Sequence, residues 1–290
     1  MLLNYLDSAI GFIVVILMFS LVITILVQMV GVLLQLRGKS LLRGVELLFH
    51  EIDPDLKSQA KALADQVLRH PAIAEDTKRL ASALQSHELK LVLQSLAEAA
   101  DANPQLKKAL DERRATVFGR IDDWFELVMD RAGERFKMNT RWATTVFAVI
   151  LAFALQLDSI SLFRQIATNA DLRARLVSMS DSVSETSKKV LESPAVPNTE
   201  QGLKELTDRA AEVKAEIEKS QLQLVPNPWR LSAFDNIRSF LGLILTIFLL
   251  GLGAPFWFKA LQNLVGLRHA VDQKKDQDEE AERAALAAKK

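Results

Sequence analysis

The sequence contains no cysteine, which excludes disulfide bonds, thiolate catalysis and cysteine metal sites. It also lacks an excess of either charge, because 36 Lys and Arg residues balance 36 Asp and Glu residues. A balanced chain has no net field that attracts nucleic acid, so we expect no nucleic-acid partner. Glycine and proline are scarce, at 11 and 8 residues, and the soluble stretches show no β-type alternation. These absences predict an all-α protein with little or no sheet.

Patterns that carry reaction chemistry are missing as well. The four histidines lie far apart, and none has a metal-ligating neighbour at helical spacing. His87-Glu88 lacks the second histidine of a zincin motif, and neither a phosphate-binding glycine loop nor a nucleophile elbow occurs. We therefore predict a protein that is not an enzyme, with no catalytic residues, no metal site and no cofactor.

What the sequence does have is three uncharged apolar runs, at residues 8–35, 142–157 and 239–258. A helix of roughly 20 apolar residues crosses the 30 Å hydrocarbon core of a bilayer. The first run is too long for the apolar region of a cleaved signal peptide, and no basic side chain precedes it. The sequence therefore predicts an integral membrane protein with three transmembrane helices.

Basic side chains near the ends of these runs predict their direction, since Lys and Arg concentrate on the cytoplasmic side. They follow the first run, precede the second and follow the third. All three clusters then place the N-terminus outside and the C-terminus in the cytoplasm. The clusters are Arg37, Lys39 and Arg43; Arg131, Arg135, Lys137 and Arg141; and Lys259, Arg268, Lys274 and Lys275.

These assignments divide the chain into six segments. Residues 1–36 form the first span, residues 37–103 a cytoplasmic helical domain, and residues 104–157 one long helix whose part from about 140 to 157 is the second span. Residues 158–237 form an extracytoplasmic helical hairpin, residues 238–258 the third span, and residues 259–290 a charged cytoplasmic tail.

The hairpin prediction depends on heptad spacing from Leu172 to Val190 and from Leu203 to Leu224, on either side of residues 193–198. Two short coiled-coil helices would account for it. In the alternative, one face packs on the rest of the protein or the loop is partly disordered.

Each apolar run carries a stripe of polar or small residues on one helix face, at steps of three and four. One interpretation is packing between helices, because small residues allow close approach in lipid and amides find partners there. The other is a water-filled lumen, formed by several copies and lined by Gln28 and Gln156. No ionisable residue lies in the centre of a run, which argues against an ion-coupled transporter. The candidate interhelical or pore-facing residues are Ser20, Thr24, Gln28, Gln35, Thr145, Gln156, Gly242 and Thr246.

Four carboxylates repeat every fourth residue on the helix that leads into the second run: Asp122, Glu126, Asp130 and Glu134. Like charges at this spacing repel, so compensation is expected. In one interpretation the carboxylates lie on a solvated face and nearby basic residues compensate their charge. In a second, the column docks to a basic partner, and in a third it attracts cations to the mouth of a pore. Trp124 lies on the opposite side, in a seam that is buried or faces a partner.

The segment from Gly251 to Pro255 contains two glycines, Gly251 and Gly253, and ends in a proline. Proline removes the amide that would bond to the carbonyl of Gly251. Gly251, Gly253 and Pro255 are therefore hinge candidates, and a fixed kink is the alternative.

Two motifs resemble a family of bacterial integral membrane proteins of unassigned function. The stretch DDWFELVMDR at 122–131, before the second run, is similar to the family's WFDxxMDR. The stretch GAPFWF at 253–258 is similar to the end of its third span. This chain has Lys259 where the family usually has Asp, and Gln156 where it has Asn. The resemblance implies a three-span protein of the bacterial inner membrane and carries no known activity.

We expect a non-enzymatic membrane scaffold or anchor that acts through self-association and helix-mediated partner binding. The alternative is an oligomeric pore or channel-like effector lined by the polar faces of the spans. Its expected partners are the lipid bilayer and either further copies of the chain or another protein of a membrane complex.

Overall fold

The computed structural model describes residues 2–52, 54–74, 76–99, 104–192, 199–221 and 237–287. Every regular element in these ranges is a helix and no strand occurs among them, which confirms the all-α prediction. The predicted hairpin connection at 193–198 and the segment 222–236 lie outside the described residues. The helices are α1 Leu2–Leu33, α2 Leu36–Ile52, a 3-10 helix Pro54–Gln59, α3 Ala60–Leu68, α4 Ser86–Glu98, α5 Pro104–Ala154, α6 Ser159–Thr168, α7 Ala170–Ser178, α8 Ser180–Glu192, α9 Glu200–Ser220, α10 Ile237–Gly251 and α11 Ala254–Ala287.

Among the described residues, α1 is the one helix that is both long and apolar enough to cross a membrane. The number rises to three if each of two bent pairs is counted as one span. The axis turns by 61° between α5 and α6 and by 91° between α10 and α11. The structure thus establishes one clear candidate span.

The chain divides into two compact units, which are described separately. The α2–α5 unit comprises residues 27–143 and 195–207, and the apolar unit comprises residues 1–26, 144–194 and 208–290. The helices α1, α5 and α9 each contribute to both units.

The α2–α5 unit has a continuous apolar core to which α2, α3, α4 and α5 contribute. Helix α2 is amphipathic, and its apolar face is buried. A Cβ atom at Gly44 would lie only 3.1 Å from side-chain atoms of Ala132 and Met129, so this glycine allows α2 to approach α5 closely. Core residues include Val45, Leu48 and Phe49 of α2, Ala64 and Val67 of α3, Leu89 and Leu93 of α4, and Ile121 and Val128 of α5.

Helix α5 is 51 residues long and continues into the second apolar run. It is interrupted once, at Arg113, whose backbone angles of φ −138° and ψ 27° are not helical. Neither glycine nor proline stands near this position, so the sequence contained no signal for the kink.

The apolar unit packs α6 and α7 on the N-terminal half of α1. The rings of Phe12 and Phe163 form an edge-to-face pair with centroids 5.6 Å apart. A Cβ atom at Gly11 would lie 3.2 Å from Ile166 and 3.3 Å from Leu176, so glycine permits this close contact. Helix α6 also packs on α10, and α8 packs on α11. The predicted first helix of the hairpin is in fact two helices, because α7 ends before Met179 and α8 begins after it.

Two contacts join the predicted tail to segments that the sequence analysis placed outside the membrane. Arg268 Nε donates to Asp7 Oδ1 at 2.8 Å, although Asp7 was placed outside and Arg268 inside. Helix α8, from the predicted extracytoplasmic segment, packs on α11 of the tail. These contacts place Asp7, Arg268 and α8 beside α11 within the apolar unit.

The third apolar run, predicted as one span at 238–258, is divided between two helices. Helix α10 has 15 residues, which corresponds to about 22 Å at 1.5 Å per residue and is shorter than a 30 Å hydrocarbon core. The chain then turns through 91° before α11 begins.

Candidate functional site

The polar residues of α1 are buried or half-buried within the chain. Ser20 is 1% exposed, and its Oγ has no hydrogen-bond partner among the described residues. Thr24 Oγ1 donates to the Ser20 carbonyl at 2.8 Å. Gln28 Oε1 is a buried atom and likewise lacks a partner in the described part of the chain. Beyond the end of the helix, Gln35 adopts a left-handed φ of 51°, and its Oε1 accepts from Leu80 N at 3.2 Å.

Thr246 of α10 is the centre of a buried hydrogen-bond cluster with the start of α6. Its Oγ1 accepts from Ser159 N at 3.0 Å and lies 2.7 Å from Ser159 Oγ. The carbonyls of Leu157 and Gly242 lie within donating distance of the same hydroxyl, at 2.9 and 2.8 Å. Since Thr246 is 1% exposed, this cluster joins α10 to α6 away from water.

Gly242 lies one turn before Thr246 and faces Asp158. A Cβ atom at this glycine would overlap the Asp158 carboxylate. That carboxylate caps α6, because its Oδ1 accepts from Ile160 N at 2.9 Å and Ser161 N at 3.1 Å. The two positions together fix how α10 meets the first turn of α6.

Gln156 lies in the bend between α5 and α6, with a left-handed φ of 48°. Its backbone N donates to the Phe153 carbonyl at 3.2 Å, and Leu157 N donates to the Ala152 carbonyl at 3.0 Å. Thr145 and Gln156 both have interaction partners within the chain. Whether Gln156 also faces a lumen in an oligomer stays a prediction.

The hinge candidates lie at the 91° bend between α10 and α11. Gly251 ends α10, and Gly253 has a φ of +83°, which favours glycine. Pro255 is the second residue of α11, where the backbone N–H has no intrahelical acceptor in any case. Proline therefore starts a new helix here instead of kinking one. Trp257 Nε1 donates to the Leu249 carbonyl at 2.7 Å and thereby ties α11 to α10 across the bend.

Within the column of four carboxylates, the first and last are neutralised by the chain itself. Asp122 accepts from Lys90 Nζ at 2.5 and 2.6 Å and from Ser86 Oγ at 3.0 Å, which joins α5 to α4. The Lys90 hydrogen bond, with a smaller contribution from Ser86, holds the pKa of Asp122 below its ordinary value. Glu134 pairs with Lys137 at 2.9 Å, and this hydrogen bond lowers the pKa of Glu134.

The other two carboxylates, Glu126 and Asp130, are exposed and pair with none of the described residues. Trp124 is 38% exposed and lies at the edge of a groove, whereas Val128 and Ala132 of the same predicted seam are buried.

This groove, between α2 and α5, has a volume of about 410 Å³. We call it the arginine groove, because Arg43, Arg131 and Arg135 line it. Its apolar wall includes Leu47, Trp124 and Met138. Sequence reasoning used these arginines as signals of membrane orientation, and Arg131 also as compensation for the carboxylate column, but did not bring the three together.

No group of three or more His, Asp or Glu side chains that could hold a metal ion occurs among the described residues. Comparisons with known proteins add no constraint: no protein-family model, curated protein or solved structure matches the chain.

Sequence reasoning also missed Asp158, Ser159 and the Asp7–Arg268 pair. Asp158 stood immediately after an apolar run and before a serine, which is a capping signal that could have been read as a helix start. Asp7 is the one acidic residue before the first apolar run, but nothing in the sequence indicated that Arg268, 261 positions later, would pair with it.

Proposed function

We propose that the chain is a non-enzymatic scaffold of a bacterial inner membrane, anchored by its apolar unit and acting through binding of further copies or of a partner protein. One observation carries this proposal: large apolar side chains are exposed along both α5 and α10. Ile150 is 53% exposed, and Phe248 is 63% exposed. Soluble monomers seldom expose contiguous surfaces of this kind, which mark membrane or protein contacts. Further exposed members are Val146, Val149 and Phe153 of α5 and Phe240, Leu241, Ile244 and Leu245 of α10.

The hydrogen bonds of the apolar helices support packing as the role of their polar residues. Thr246, Ser159 and Gln35 all find partners inside the chain. A side chain committed to a partner in the same molecule is not free to line a channel. The polar stripes then contribute to the shape of the scaffold, and the exposed apolar faces are left for lipid or a second subunit.

Regarding topology, we propose that α1 and the apolar end of α5 cross the bilayer, with the N-terminus outside and residues 37–140 in the cytoplasm. The Asp7–Arg268 ion pair supports a tail on the outer side, together with residues 158–237. The α10–α11 pair would then enter and leave the membrane from one side, which its short first helix and its 91° turn permit.

Cysteine labelling tests this arrangement directly, because the natural chain has no cysteine to remove. Single cysteines would replace the exposed residues Lys107, Lys204 and Gln273 in turn. In intact spheroplasts, a membrane-impermeant maleimide should label positions 204 and 273 but reach 107 only after lysis. Labelling of 273 only after lysis would reject the outer position of the tail and restore the third crossing.

The scaffold itself is tested by the mass of the purified chain in lipid nanodiscs and by cross-linking in the membrane. A defined dimer, or one recurrent cross-linked partner, would support it. A chain that stays monomeric in nanodiscs and forms no cross-link in cells would contradict it.

A pore is the second candidate, and the two buried acceptors of α1 favour it. Ser20 Oγ and Gln28 Oε1 have no hydrogen-bond partner among the described residues, and because both atoms are buried within one chain, water that enters from a lumen would satisfy them. A closed oligomer with a bilayer conductance that Gln28→Leu alters would establish the pore. Unchanged conductance in Gln28→Leu, or none in the wild type, would reject this lining.

A further inference from the structure

The arginine groove joins three positive charges to an apolar wall. Arg43 comes from α2, and Arg131 and Arg135 come from successive turns of α5. The spacing of four residues places Arg131 and Arg135 on the same side of α5, about 6 Å apart along its axis. All three side chains are exposed.

These arginines are not neutralised by the part of the chain that the structure describes. None of the three forms an ion pair with any described residue, and Glu51 is the one carboxylate that lines the groove. Other cations of the same unit do have partners: Lys90 pairs with Asp122. With three guanidinium groups and one carboxylate, the groove has an excess of positive charge that favours the binding of an anion.

Guanidinium groups present paired N–H donors that match the oxygens of a phosphate. The apolar side chains beside them would suit hydrocarbon. Leu47 is 45% exposed and Met138 is 55% exposed, although each lies against the charged part of the groove. A ligand that satisfies both parts carries a phosphate next to an aliphatic chain.

The position along α5 agrees with such a ligand. Trp142 is 69% exposed, begins the second apolar run and follows Arg135 by seven residues, or about 10 Å of helix. Tryptophan at the start of an apolar run is typical of the membrane interface. The arginines therefore lie where phosphate groups of the cytoplasmic leaflet are expected, given the membrane anchorage of the proposed function.

We propose that the arginine groove binds an anionic phospholipid of the cytoplasmic leaflet, with its phosphate on Arg43, Arg131 and Arg135 and an acyl chain along Leu47, Trp124 and Met138. Basic pockets beside membrane helices on the cytoplasmic side recognise anionic head groups by this chemistry. Occupation would fix α2 against α5 and connect the α2–α5 unit to the lipid surface.

Tryptophan quenching tests the proposal on the purified full-length chain in mixed micelles. The probe is phosphatidylglycerol with brominated acyl chains, and phosphatidylcholine with the same chains is the neutral comparison. The Trp124→Phe variant supplies the background of the other tryptophans, so the difference between the two proteins reports the groove. Circular dichroism of every variant checks that the helices are retained.

We expect phosphatidylglycerol to quench Trp124 at lower concentration than phosphatidylcholine does. The double variant Arg131→Gln, Arg135→Gln should weaken the binding of phosphatidylglycerol about 25-fold, since each arginine near a lipid surface contributes a factor of roughly five. The matched control is Lys107→Gln, Lys108→Gln, which removes two exposed charges from the same helix outside the groove and should leave the affinity unchanged.

Three results would overturn the proposal. The first is equal quenching of Trp124 by the two lipids, and the second is an equal loss of phosphatidylglycerol affinity in the arginine and lysine variants. The third is that millimolar inorganic phosphate completely prevents the quenching by phosphatidylglycerol. The last would identify a site for free phosphate instead of lipid. Because the assay uses micelles, it remains informative if the chain proves not to span a membrane, so failure of the groove and failure of the anchorage are distinguishable.

Discussion

Replacing Thr246 by valine should loosen the contact between α10 and α6 without changing the shape of the side chain. Valine fills the same volume but lacks the hydroxyl. The buried N–H of Ser159 then loses its acceptor at 3.0 Å, and the Leu157 carbonyl loses a neighbouring donor at 2.9 Å. The cluster has no solvent to replace these bonds, because Thr246 is 1% and Ser159 is 2% exposed.

Two known energies bound the loss of stability expected in Thr246→Val. An orphaned buried polar group costs about 1–3 kcal/mol in a protein interior. Hydrogen bonds between helices in lipid average about 0.6 kcal/mol and reach about 1.7 kcal/mol. We therefore expect Thr246→Val to lower the free energy of unfolding by about 2 kcal/mol. Thr246→Ser is the matched control, since it keeps the hydroxyl and loses only a methyl group, whose burial stabilises the folded chain by about 1 kcal/mol.

The assay is equilibrium unfolding of the purified chain in detergent with increasing dodecyl sulfate, followed by far-ultraviolet circular dichroism. The order of stability should be wild type, Thr246→Ser, then Thr246→Val. If valine were as stable as wild type within about 0.5 kcal/mol, or serine were the less stable variant, the hydroxyl would not be holding α10 on α6.

Two other contacts give predictions of the same kind. Gly242→Ala should destabilise the chain by about 1 kcal/mol or more, because the new methyl group displaces the Asp158 carboxylate from the position in which it caps α6. Gly251→Ala is the control, because a methyl group there meets nothing within 4 Å. It should cost almost nothing in the same dodecyl sulfate titration. The lowered pKa of Asp122 means that its pairing with Lys90 stabilises the folded chain above the ordinary aspartate pKa of about 4 and is lost as pH falls through the lower folded-state pKa. The difference in thermal midpoint between wild type and Asp122→Asn should therefore be constant from pH 8 to 5 and close at lower pH; a gap that stays constant at low pH would contradict the ion pair.

Periodicity and composition were sufficient for the helical class and for several helix positions. The first apolar run predicted a helix over residues 1–36, and α1 extends over Leu2–Leu33. The unbroken pattern after Pro104 corresponds to α5, because no residue there stops a helix. These features are local, so each follows from residues a few positions apart.

The bends were only partly predictable. Gly253 offered a left-handed position for the turn into α11, and glycine is the residue that such a turn favours. Gln156 occupies a left-handed position without any such signal, as does Gln35. A glutamine tolerates this conformation only when the surrounding contacts hold it there, and the sequence does not reveal those contacts.

The basic residues differ in their contacts, and a prediction of membrane orientation from sequence does not register this difference. A count of Lys and Arg treats each cation as equally free to stay on the cytoplasmic side. In the structure they differ: Arg268 is paired with Asp7 at 2.8 Å, whereas Arg131 and Arg135 have no ionic partner among the described residues. A paired cation carries no net charge together with its partner, so in the folded chain it is held on the cytoplasmic side less strongly than the count assumes. We therefore expect Arg131 and Arg135 to report the side of the membrane more reliably than Arg268 does. Maleimide labelling at positions 107 and 273 checks this expectation.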